Sequence, residues 1–445
     1  MGYEISTFSI HKLSEYVTIQ PGFAFKSKLF LDDSSQTPLV KGENLQQGYI
    51  DWGVSKYWST EDYESLEKYH LLPGDIVLAM DRPWVTAGLK WSYIKSHDPK
   101  SLLVQRVARL RAKKGLTQDY LRVLISSNYF ASYIQPIVTG VNVPHISGKQ
   151  IGDFNAPIPS EKVQTKIASL LISYDEKIEN NKRRITLLEN MAEELYKEWF
   201  VRLRFKGYKS ATFNKGIPES WTTKTFREIV SYYIGGGWGE EYQTPTFSDS
   251  AYVIRGTDIP KLASGDYSNQ VQRFHKPSNL ESRKLEENDF VFEVSGGSKD
   301  QLLGRNLMVS RGLLDLLDNS VMCASFCKQI RFDSELVSPI FMKYFLKLYY
   351  ECELVGIYQV QSTGISNYQF ESFLSFQTII LPDSDLQKEF EKLVKPLIEQ
   401  QDKLALENLN LEKNKSMLLP RLISGKLSVE NLDIESPPSM REIIQ

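Results

Sequence analysis

The sequence predicts an α+β fold in which two tandem, mixed but β-rich domains are separated by two long antiparallel coiled-coil helices. Four landmarks of the first half recur in the same order in the second half, which indicates a tandem duplication. Within each copy, short β-branched and aromatic runs alternate with turn residues, as they do in sheets. Two further segments carry apolar residues at alternating spacings of four and three, the pattern of coiled-coil helices.

The composition is that of a folded protein without a global signature of nucleic-acid binding. The 445 residues are 41% hydrophobic and 12% aromatic, enough for two or three domains. Because the formal net charge is only -2, any phosphate-binding surface must be local. The start of the chain lacks the layout of a secretory signal, and no stretch approaches the roughly 20 apolar residues of a membrane span. We therefore expect a cytoplasmic protein.

The duplication rests on paired landmarks whose spacing changes slowly along the chain. The pairs are residues 39–45 and 253–259, 72–78 and 287–292, 108–111 and 328–331, and 139–141 and 363–365. The offset is 214 positions between Lys41 and Arg255, and it drifts to 224 between Thr139 and Thr363. Small loop insertions produce such a drift, so we interpret the two halves as copies of one domain.

The domain boundaries follow from the point at which each copy ends. A proline-marked strand closes each copy, at residues 156–159 and 380–382, and a helical period starts directly after it. The predicted divisions are a first β-rich domain at 1–158, a central helical region at 159–205, a second β-rich domain at 206–383, a C-terminal helical region at 384–427 and a C-terminal tail at 428–445.

The first helical region carries an unbroken series of seam positions, the positions expected to face a partner helix. They are Ile167, Leu171, Tyr174, Ile178, Asn181, Ile185, Leu188, Ala192, Leu195 and Trp199. The second region has the same spacing with three polar positions, at Leu386, Phe390, Leu393, Leu397, Gln400, Leu404, Glu407, Leu411, Asn414 and Leu418. Pro396 lies inside it and removes one backbone hydrogen bond, which predicts a kink.

Two helices of matching length can bury their apolar stripes against each other, which favours an antiparallel pair. Each runs for about 40 residues, or roughly 60 Å. The alternative is that each helix folds back on its own domain or pairs between subunits.

Motifs of catalysis are missing from the sequence. It has no phosphate-binding G-x-x-x-x-G-K-[ST] loop, no H-E-x-x-H zinc motif and no G-x-S-x-G nucleophile turn, and the five histidines do not cluster. Cys323 and Cys327 are four apart, but zinc needs about four ligands, so buried thiols are favoured over a metal site. Gly235–Gly237 is interpreted as a turn. We predict no catalytic residue, no metal site and no cofactor on this chain.

What remains is polar chemistry on loops that follow strands, which is the chemistry of base and phosphate recognition. The candidate DNA-binding residues of the first copy are Lys41, Arg82, Trp84, Thr139, Asn142, His145 and Lys149. Those of the second copy are Trp238, Arg255, Ser298, Lys299, Gln301, Arg305, Gln361, Thr363, Ser366 and Asn367. The alternative is ordinary turn chemistry, since Gly, Ser, Asn and Asp fill turns in most proteins.

Together these motifs resemble the specificity subunits of Type I restriction-modification systems. The resemblance is carried by the 72–78 turn, the two Thr-Gly loops, the proline-ended strands and the two helical regions. The first of these regions contains Glu-Asn-Asn-Lys-Arg-Arg-Ile at 179–185, and the second ends at 419–427 in Leu-Pro-Arg-Leu-Ile-Ser-Gly-Lys-Leu. The order and duplication of the motifs make the combination specific, and it covers essentially the full chain.

The resemblance implies two target-recognition domains, each reading one half of a bipartite, asymmetric double-stranded DNA site, with the helices as a ruler between them. It also implies that the helices dock two methyltransferase subunits, which methylate adenine with S-adenosylmethionine, and two restriction and translocation subunits that use ATP and Mg. Two other hypotheses stay open. One is a stand-alone nuclease or DNA-modification enzyme, and the other is a coiled-coil scaffold that binds protein.

Overall fold

The computed structural model describes residues 8–85, 88–138, 144–268, 270–296, 301–318, 320–362 and 364–442. It separates into two compact units. Unit 1 combines Met1–Lys177 with Leu411–Gln445, and unit 2 is Ile178–Asn410. Each unit therefore holds one copy of the repeat together with a part of each long helix. Within the described residues, no helix has both the length and the apolar content that crossing a membrane requires.

The first copy, in unit 1, is built from short strands and helices. Its strands are β1 (Ile10–Lys12), β2 (Val17–Pro21), β3 (Thr37–Val40), β4 (Tyr57–Trp58), β5 (His70–Leu71), β6 (Ile76–Ala79), β7 (Trp84–Val85), β8 (Gly88–Leu89), β9 (Trp91–Tyr93), β10 (Ser101–Leu103), β11 (Val107–Ala112) and β12 (Asn155–Pro157). Its helices are α1 (Leu13–Tyr16), α2 (Gln118–Ser126), α3 (Asn128–Val138) and α4 (Gly148–Gly152), and the long α5 (Glu161–Tyr196) follows.

Two four-stranded sheets form the centre of the first copy. One has the order β2-β11-β6-β9 with antiparallel neighbours, and the other has the order β4-β3-β10-β5 with β3 and β10 parallel. The β6 strand is a fully buried apolar run, and Gly74 in the turn before it has a φ of +88°, a conformation that favours glycine. β1 pairs with β12, which brings the start of the described chain to the end of the copy.

The second copy, in unit 2, repeats this plan. Its strands are β13 (Phe213–Asn214), β14 (Ile217–Pro218), β15 (Thr222–Thr225), β16 (Val230–Gly235), β17 (Asp249–Ile254), β18 (Val271–His275), β19 (Phe290–Glu293), β20 (Ser295–Gly296), β21 (Asn306–Met308), β22 (Val321–Cys323), β23 (Cys327–Phe332), β24 (Gln359–Ser362), β25 (Ile365–Tyr368) and β26 (Thr378–Leu381). Its helices are α6 (Phe226–Ile229), α7 (Ile259–Ala263), α8 (Pro277–Arg283), α9 (Arg311–Leu316), α10 (Pro339–Glu351) and α11 (Phe370–Phe376). The chain then continues into α12 (Ser384–Ile423) and α13 (Pro438–Glu442).

The strand order confirms the predicted duplication. The sheet β16-β23-β19-β21 matches β2-β11-β6-β9, and the parallel pair β17 and β22 matches β3 and β10. The second copy adds the sheet β20-β25-β24, which has no counterpart of the same size among the described residues of the first copy. Both copies thus share a scaffold and differ in the segments that come after the β6 and β19 strands.

A buried carboxylate and an arginine mark the same place in both scaffolds. Arg111 Nη2 donates to Asp75 Oδ2 at 2.7 Å, and Arg331 donates to Asp289 through Nε at 2.7 Å and Nη2 at 2.9 Å. Each aspartate also accepts a backbone N–H from three residues earlier, from Leu72 in unit 1 at 2.8 Å and from Glu286 in unit 2 at 2.7 Å. Such charge-assisted pairs fix the turn before the central strand of each copy.

The long helices contact each other in both units. In unit 1, Lys415 on α12 contacts Asp175 on α5. In unit 2, Asn181 Nδ2 donates to Glu407 Oε2 at 2.8 Å. Gln401 Nε2 donates to Glu189 Oε2 at 3.3 Å. Because positions on α12 fall from 407 to 401 as those on α5 rise from 181 to 189, the two helices run in opposite directions in unit 2, as predicted.

Most predicted seam positions are buried or half-buried, but two of them, Leu393 and the polar Asn414, are exposed. The buried ones are Ile167, Leu171, Ile178, Ile185 and Leu404, and the half-buried ones are Tyr174, Leu188, Leu195, Trp199, Leu397, Leu411 and Leu418. The prediction for Leu393 is wrong, because its side chain is 51% exposed. The buried positions near it are Phe390, Val394 and Ile398, spaced by four. A helix with 3.6 residues per turn drifts from a 3.5-residue repeat, which moves position 393 outward.

Two further features complete the helical part. α12 continues through Pro396 rather than ending there. In unit 1, the segment after α12 packs on α5, where Lys166 Nζ donates to the backbone oxygens of Glu430 at 2.7 Å and Leu432 at 2.6 Å. Val429 and Met440 of the same segment are buried in the core of unit 1. The predicted domain boundaries themselves stay a prediction.

Candidate nucleic-acid interface

In unit 1, the loop after β6 is joined to the segment that precedes α4. The backbone N–H of Arg82 donates to the Pro144 oxygen at 2.8 Å. Asp81 contacts His145 Nδ1 through Oδ1 and lies 3.1 Å from Arg106 Nε through Oδ2. The structure therefore places the predicted Arg82 beside the segment that carries the predicted His145, while the Asp81 carboxylate contacts His145 and Arg106.

Arg82 holds an unusual backbone conformation at this junction. Its φ is +43°, in the left-handed region, which costs a residue other than glycine on the order of 1 kcal/mol. Its side chain is exposed, as are those of Trp84 on β7 and Lys149 on α4. These three predicted residues and the exposed His145 are accessible to a ligand.

Lys41 differs from these residues because its ammonium group is engaged within the domain. Its Nζ lies 2.8 Å from Glu43 Oε2 and 5.2 Å from the centre of the Phe30 ring. Its counterpart Arg255 in unit 2 donates to Asp258 through Nε at 2.8 Å and Nη2 at 2.7 Å. The shared cation of the two copies is thus paired with a nearby carboxylate in both.

In unit 2, the loop after β19 is joined to the β24-β25 hairpin, which matches the junction in unit 1. β20 pairs with β25 in the register Ser295 to Asn367 and Gly296 to Ser366. Ser295 Oγ donates to Asn367 Oδ1 at 3.0 Å. Asn367 and Gln361 are exposed, whereas Ser366 is buried.

A cleft of about 550 Å³ opens beside this hairpin in unit 2. It is lined by Trp238, Arg255, Gly256, Thr257, Glu293, Ser295, Gly296, Gln301, Leu302, Leu303, Arg305, Ala324, Ser325 and Phe326. Of the predicted residues, it brings together Trp238, Arg255, Gln301 and Arg305, which lie far apart in the sequence. Trp238 is partly exposed, and the guanidinium of Arg273 lies 4.8 Å from the centre of its ring.

The charge of the cleft is largely balanced by internal ion pairs. Arg305 donates to Glu293 through Nε at 2.8 Å and through Nη2 at 2.5 Å, and both side chains are nearly buried. Hydrogen bonds to the carboxylates of Glu293 and Asp258 raise the pKa of Arg305 and of Arg255. An arginine has five N–H donors, so each keeps some donors, but its charge is already paired.

Five predicted residues lie outside the described part of the chain. They are Thr139, Asn142, Ser298, Lys299 and Thr363. Their contribution to DNA binding stays a prediction.

Glu293 and Phe326 line the cleft but are not among the residues predicted from the sequence. The sequence carries a signal for Glu293 only. Glu293 interrupts the apolar run of β19, and a charged residue at a buried strand position calls for a partner. Phe326 lies between two buried cysteines and is 59% exposed, and nothing in its local pattern predicts that exposure.

Cys323 and Cys327 are buried, as favoured from the sequence, whereas Cys352 is exposed. Burial raises the pKa of the Cys323 thiol to about 12, and it also raises that of Cys327. In the described part of the chain, no group of three or more His, Cys, Asp and Glu side chains is arranged to hold a metal ion.

Comparison with known proteins shows which family this chain resembles. Residues 5–190 match the family described as Type I restriction modification DNA specificity domain. The MjaIX specificity subunit of Methanocaldococcus jannaschii is 26% identical over 335 residues, which cover 72% of this chain and 71% of that protein. The putative MjaX specificity subunit of the same organism is 24% identical over 407 residues, 88% of each chain.

A solved structure shows the same fold. The crystal structure of a Type I restriction-modification S subunit from M. genitalium has a TM-score of 0.55 and 12% identity, and the match covers 95% of this chain and 97% of that one. The repeated scaffold, the paired helices and these sequence relatives agree with one another. Residues 5–190 match the model of this family, and over most of its length the chain is similar to Type I restriction-modification specificity subunits.

Proposed function

We propose that this chain reads a bipartite, asymmetric DNA site, with one recognition domain for each half-site. The recognition domains are the two β-rich copies. The observation that carries the proposal is that both domains join the same two loops on the same scaffold but present different side chains there. Arg82 and His145 lie at the junction in unit 1, and Ser295 and Asn367 lie at the junction in unit 2.

The exposed side chains suit the chemistry of base and phosphate contacts. Arg82 can hold guanine with two hydrogen bonds, whereas Asn367 and Gln361 can hold adenine in the same way. Each such pair discriminates against a wrong base by about 1–3 kcal/mol. Lys149 is suited to a phosphate, which positions the domain without reading sequence. The predicted residues that line the cleft in unit 2 complete the proposed interface.

The helices are proposed to dock two methyltransferase subunits and two restriction and translocation subunits. Exposed apolar side chains on the helical part of unit 2 support a protein partner there. Leu187 and Met191 are 55% and 59% exposed and lie four residues apart, on one face of α5. Adenine methylation with S-adenosylmethionine, and the use of ATP and Mg, would belong to the partners in the cytoplasm. This chain would bind no cofactor and catalyse no step.

The helices also provide a means to set the distance between the half-sites. α12 spans 40 residues, or about 60 Å at 1.5 Å per residue. The number of unread base pairs should then depend on helix length.

The test is to purify the chain with its methyltransferase partner and map the methylated adenines on genomic DNA. We expect two unlike half-sites with a constant spacer. A single continuous site would contradict the proposal. Cleavage or methylation of DNA by the chain alone would favour a stand-alone enzyme instead, and absence of any DNA contact would favour a protein scaffold.

A further inference from the structure

Two buried glutamines occupy the same place in the two recognition domains. Gln164 lies on α5, five residues after Pro159, and Gln387 lies on α12, five residues after Pro382. Their side chains are 0% and 4% exposed. We call them the anchoring glutamines. Neither has a charge or an apolar side chain that would explain its burial at the start of a long helix.

In unit 1, Gln164 bonds to two separate segments of its recognition domain. Its Oε1 accepts the backbone N–H of Thr117 at 2.8 Å, and Thr117 is the N-cap of α2. Its Nε2 donates to the backbone oxygens of Gly115 at 2.9 Å and Pro159 at 2.8 Å. One amide thus links α5 to the loop before α2 and to the end of the proline-marked strand.

In unit 2, Gln387 makes the same kind of contacts. Its Oε1 accepts the backbone N–H of Ser338 at 2.8 Å, and Ser338 is the N-cap of α10. Its Nε2 donates to the backbone oxygen of Pro382 at 2.8 Å. The Ser338 hydroxyl adds a bond of 2.8 Å to Glu391, one turn further along α12.

The bonding pattern constrains orientation as well as position. A hydrogen bond weakens steeply when it bends, so an amide that bonds on both sides fixes the angle between the helix and the domain. Because both ends are backbone groups, the contact survives changes of side chain in the domain. The loops that differ most between the domains leave this contact unchanged, which indicates that it serves the geometry of the helix and the domain rather than base identity.

We propose that Gln164 and Gln387 are positioning residues, which hold each recognition domain at a fixed angle on its long helix and so determine how strictly the spacer length is enforced. The inference rests on the proposed reading of a bipartite site. Neither glutamine contacts DNA in this account. Sequence preference within a half-site belongs to the loops, and preference for the spacing belongs to the anchoring glutamines.

The test uses the full chain in complex with its methyltransferase partner. Methylation rates are measured on duplexes with the native spacer and with one base pair added or removed. We expect Gln387→Leu to reduce the preference for the native spacer by about tenfold, since a small misplacement of reacting groups has effects of that order or more. Discrimination against a wrong base inside either half-site should stay within about twofold of the wild-type value. Gln164→Leu should act alike.

The matched control is Gln401→Leu. Gln401 is also a mostly buried glutamine on α12, but it bonds to Glu189 of the neighbouring helix and not to a backbone group of the domain. This variant should keep the native spacer preference. Gln387→Glu retains the acceptor oxygen for Ser338, so its preference for the native spacer should fall between those of the wild type and the leucine variant. It is the variant to measure if Gln387→Leu does not fold.

The results separate the two proposals. An unchanged spacer profile in a folded Gln387→Leu complex would overturn the positioning role. Equal loss of spacer preference in Gln401→Leu would also overturn it, because the effect would then come from general loosening. If the wild-type complex itself shows no bipartite site, the proposed function fails first.

Discussion

The two recognition domains show which parts of the molecule can change and which are held constant. The turn before the central strand is fixed by Asp75 with Arg111 in one domain and by Asp289 with Arg331 in the other. The contact of each domain with its long helix is fixed by an anchoring glutamine. These shared contacts are buried and use charged or backbone partners.

The loops at the proposed interface differ in their means of support. In unit 1, the Asp81 carboxylate contacts the side chains of Arg106 and His145. In unit 2, the pairing of β20 with β25 joins the two loops instead. Glu293 and Arg305 bond to each other and line the cleft. The scaffold is thus maintained separately from the surface that it carries. Unlike half-sites are then compatible with one fold.

The largest effect should come from breaking the shared ion pair in either domain. Asp289→Ala leaves Arg331 without its buried partner, and removal of one member of such a pair costs about 3–5 kcal/mol of stability. Asp75→Ala should cost a similar amount. Thermal and chemical denaturation of the full chain would measure both.

The control for this prediction is the exposed pair of Arg311 and Asp315, which lie four residues apart at α9 with a 2.7 Å contact. Asp315→Ala should change the free energy of unfolding by less than about 0.5 kcal/mol. A much smaller cost for Asp75→Ala than for Asp289→Ala would show that the two scaffolds are not equivalent.

The next effect concerns the helices that both domains use. Ile185 on α5 is buried against Leu404 and Ala405, so Ile185→Ala should lower the free energy of unfolding by about 2–4 kcal/mol. Leu187→Ala removes an exposed side chain from the same helix and should have little effect on stability, although it should weaken binding of the methyltransferase partner. Denaturation and co-purification separate the two results. Equal destabilisation by both changes would contradict the burial pattern.

Much of the fold could be predicted because its signals are local or repeated. The spacing of Ile167, Leu171 and Ile178 is visible in the sequence, and so is the second copy of the turn before the central strand. Leu393 was misplaced because a seven-residue repeat and a 3.6-residue helical turn diverge over a few turns. Only the packed helix decides between neighbouring positions such as 393 and 394.

The site was less accessible to sequence reasoning, because its contacts join distant segments. The bond between Arg82 and Pro144 depends on how a loop of one strand meets a segment 62 positions later. The sequence shows that Lys41 and Arg255 are cations, but their pairing with Glu43 and Asp258 depends on the direction of the side chains. The anchoring glutamines had a signal, since each follows a strand-ending proline by five residues, but their burial is a tertiary property.

A smaller difference between the units should appear in their response to acid. Burial raises the pKa of Glu189 in unit 2, but Lys343 and Lys347 outweigh that effect and lower it to about 2. A carboxylate whose pKa is lower in the folded state stabilises the fold above its unfolded pKa of 4.5, and this stability is lost as the pH falls towards 2. Glu189→Gln should therefore remove on the order of 2 kcal/mol at pH 7 and flatten the pH dependence between 4.5 and 2.

Asp119 in unit 1 supplies the contrast. Burial raises its pKa despite the nearby Arg122, so its charged form destabilises the fold at neutral pH. Asp119→Asn should leave stability at pH 7 unchanged or increased. Urea denaturation at a series of pH values would measure both variants, and a loss of stability for Asp119→Asn equal to that for Glu189→Gln would contradict the opposite signs.

The most specific effect concerns a single exposed side chain and should leave the rest of the molecule almost unchanged. Arg82→Ala removes one guanidinium from the junction in unit 1 and should weaken recognition of one half-site by about 1–3 kcal/mol, with little change in stability. Asn367→Ala in unit 2 should act on the other half-site only. Methylation of duplexes with base substitutions in each half-site would measure both, and equal relaxation at both half-sites by either variant would contradict the assignment of one half-site to each domain.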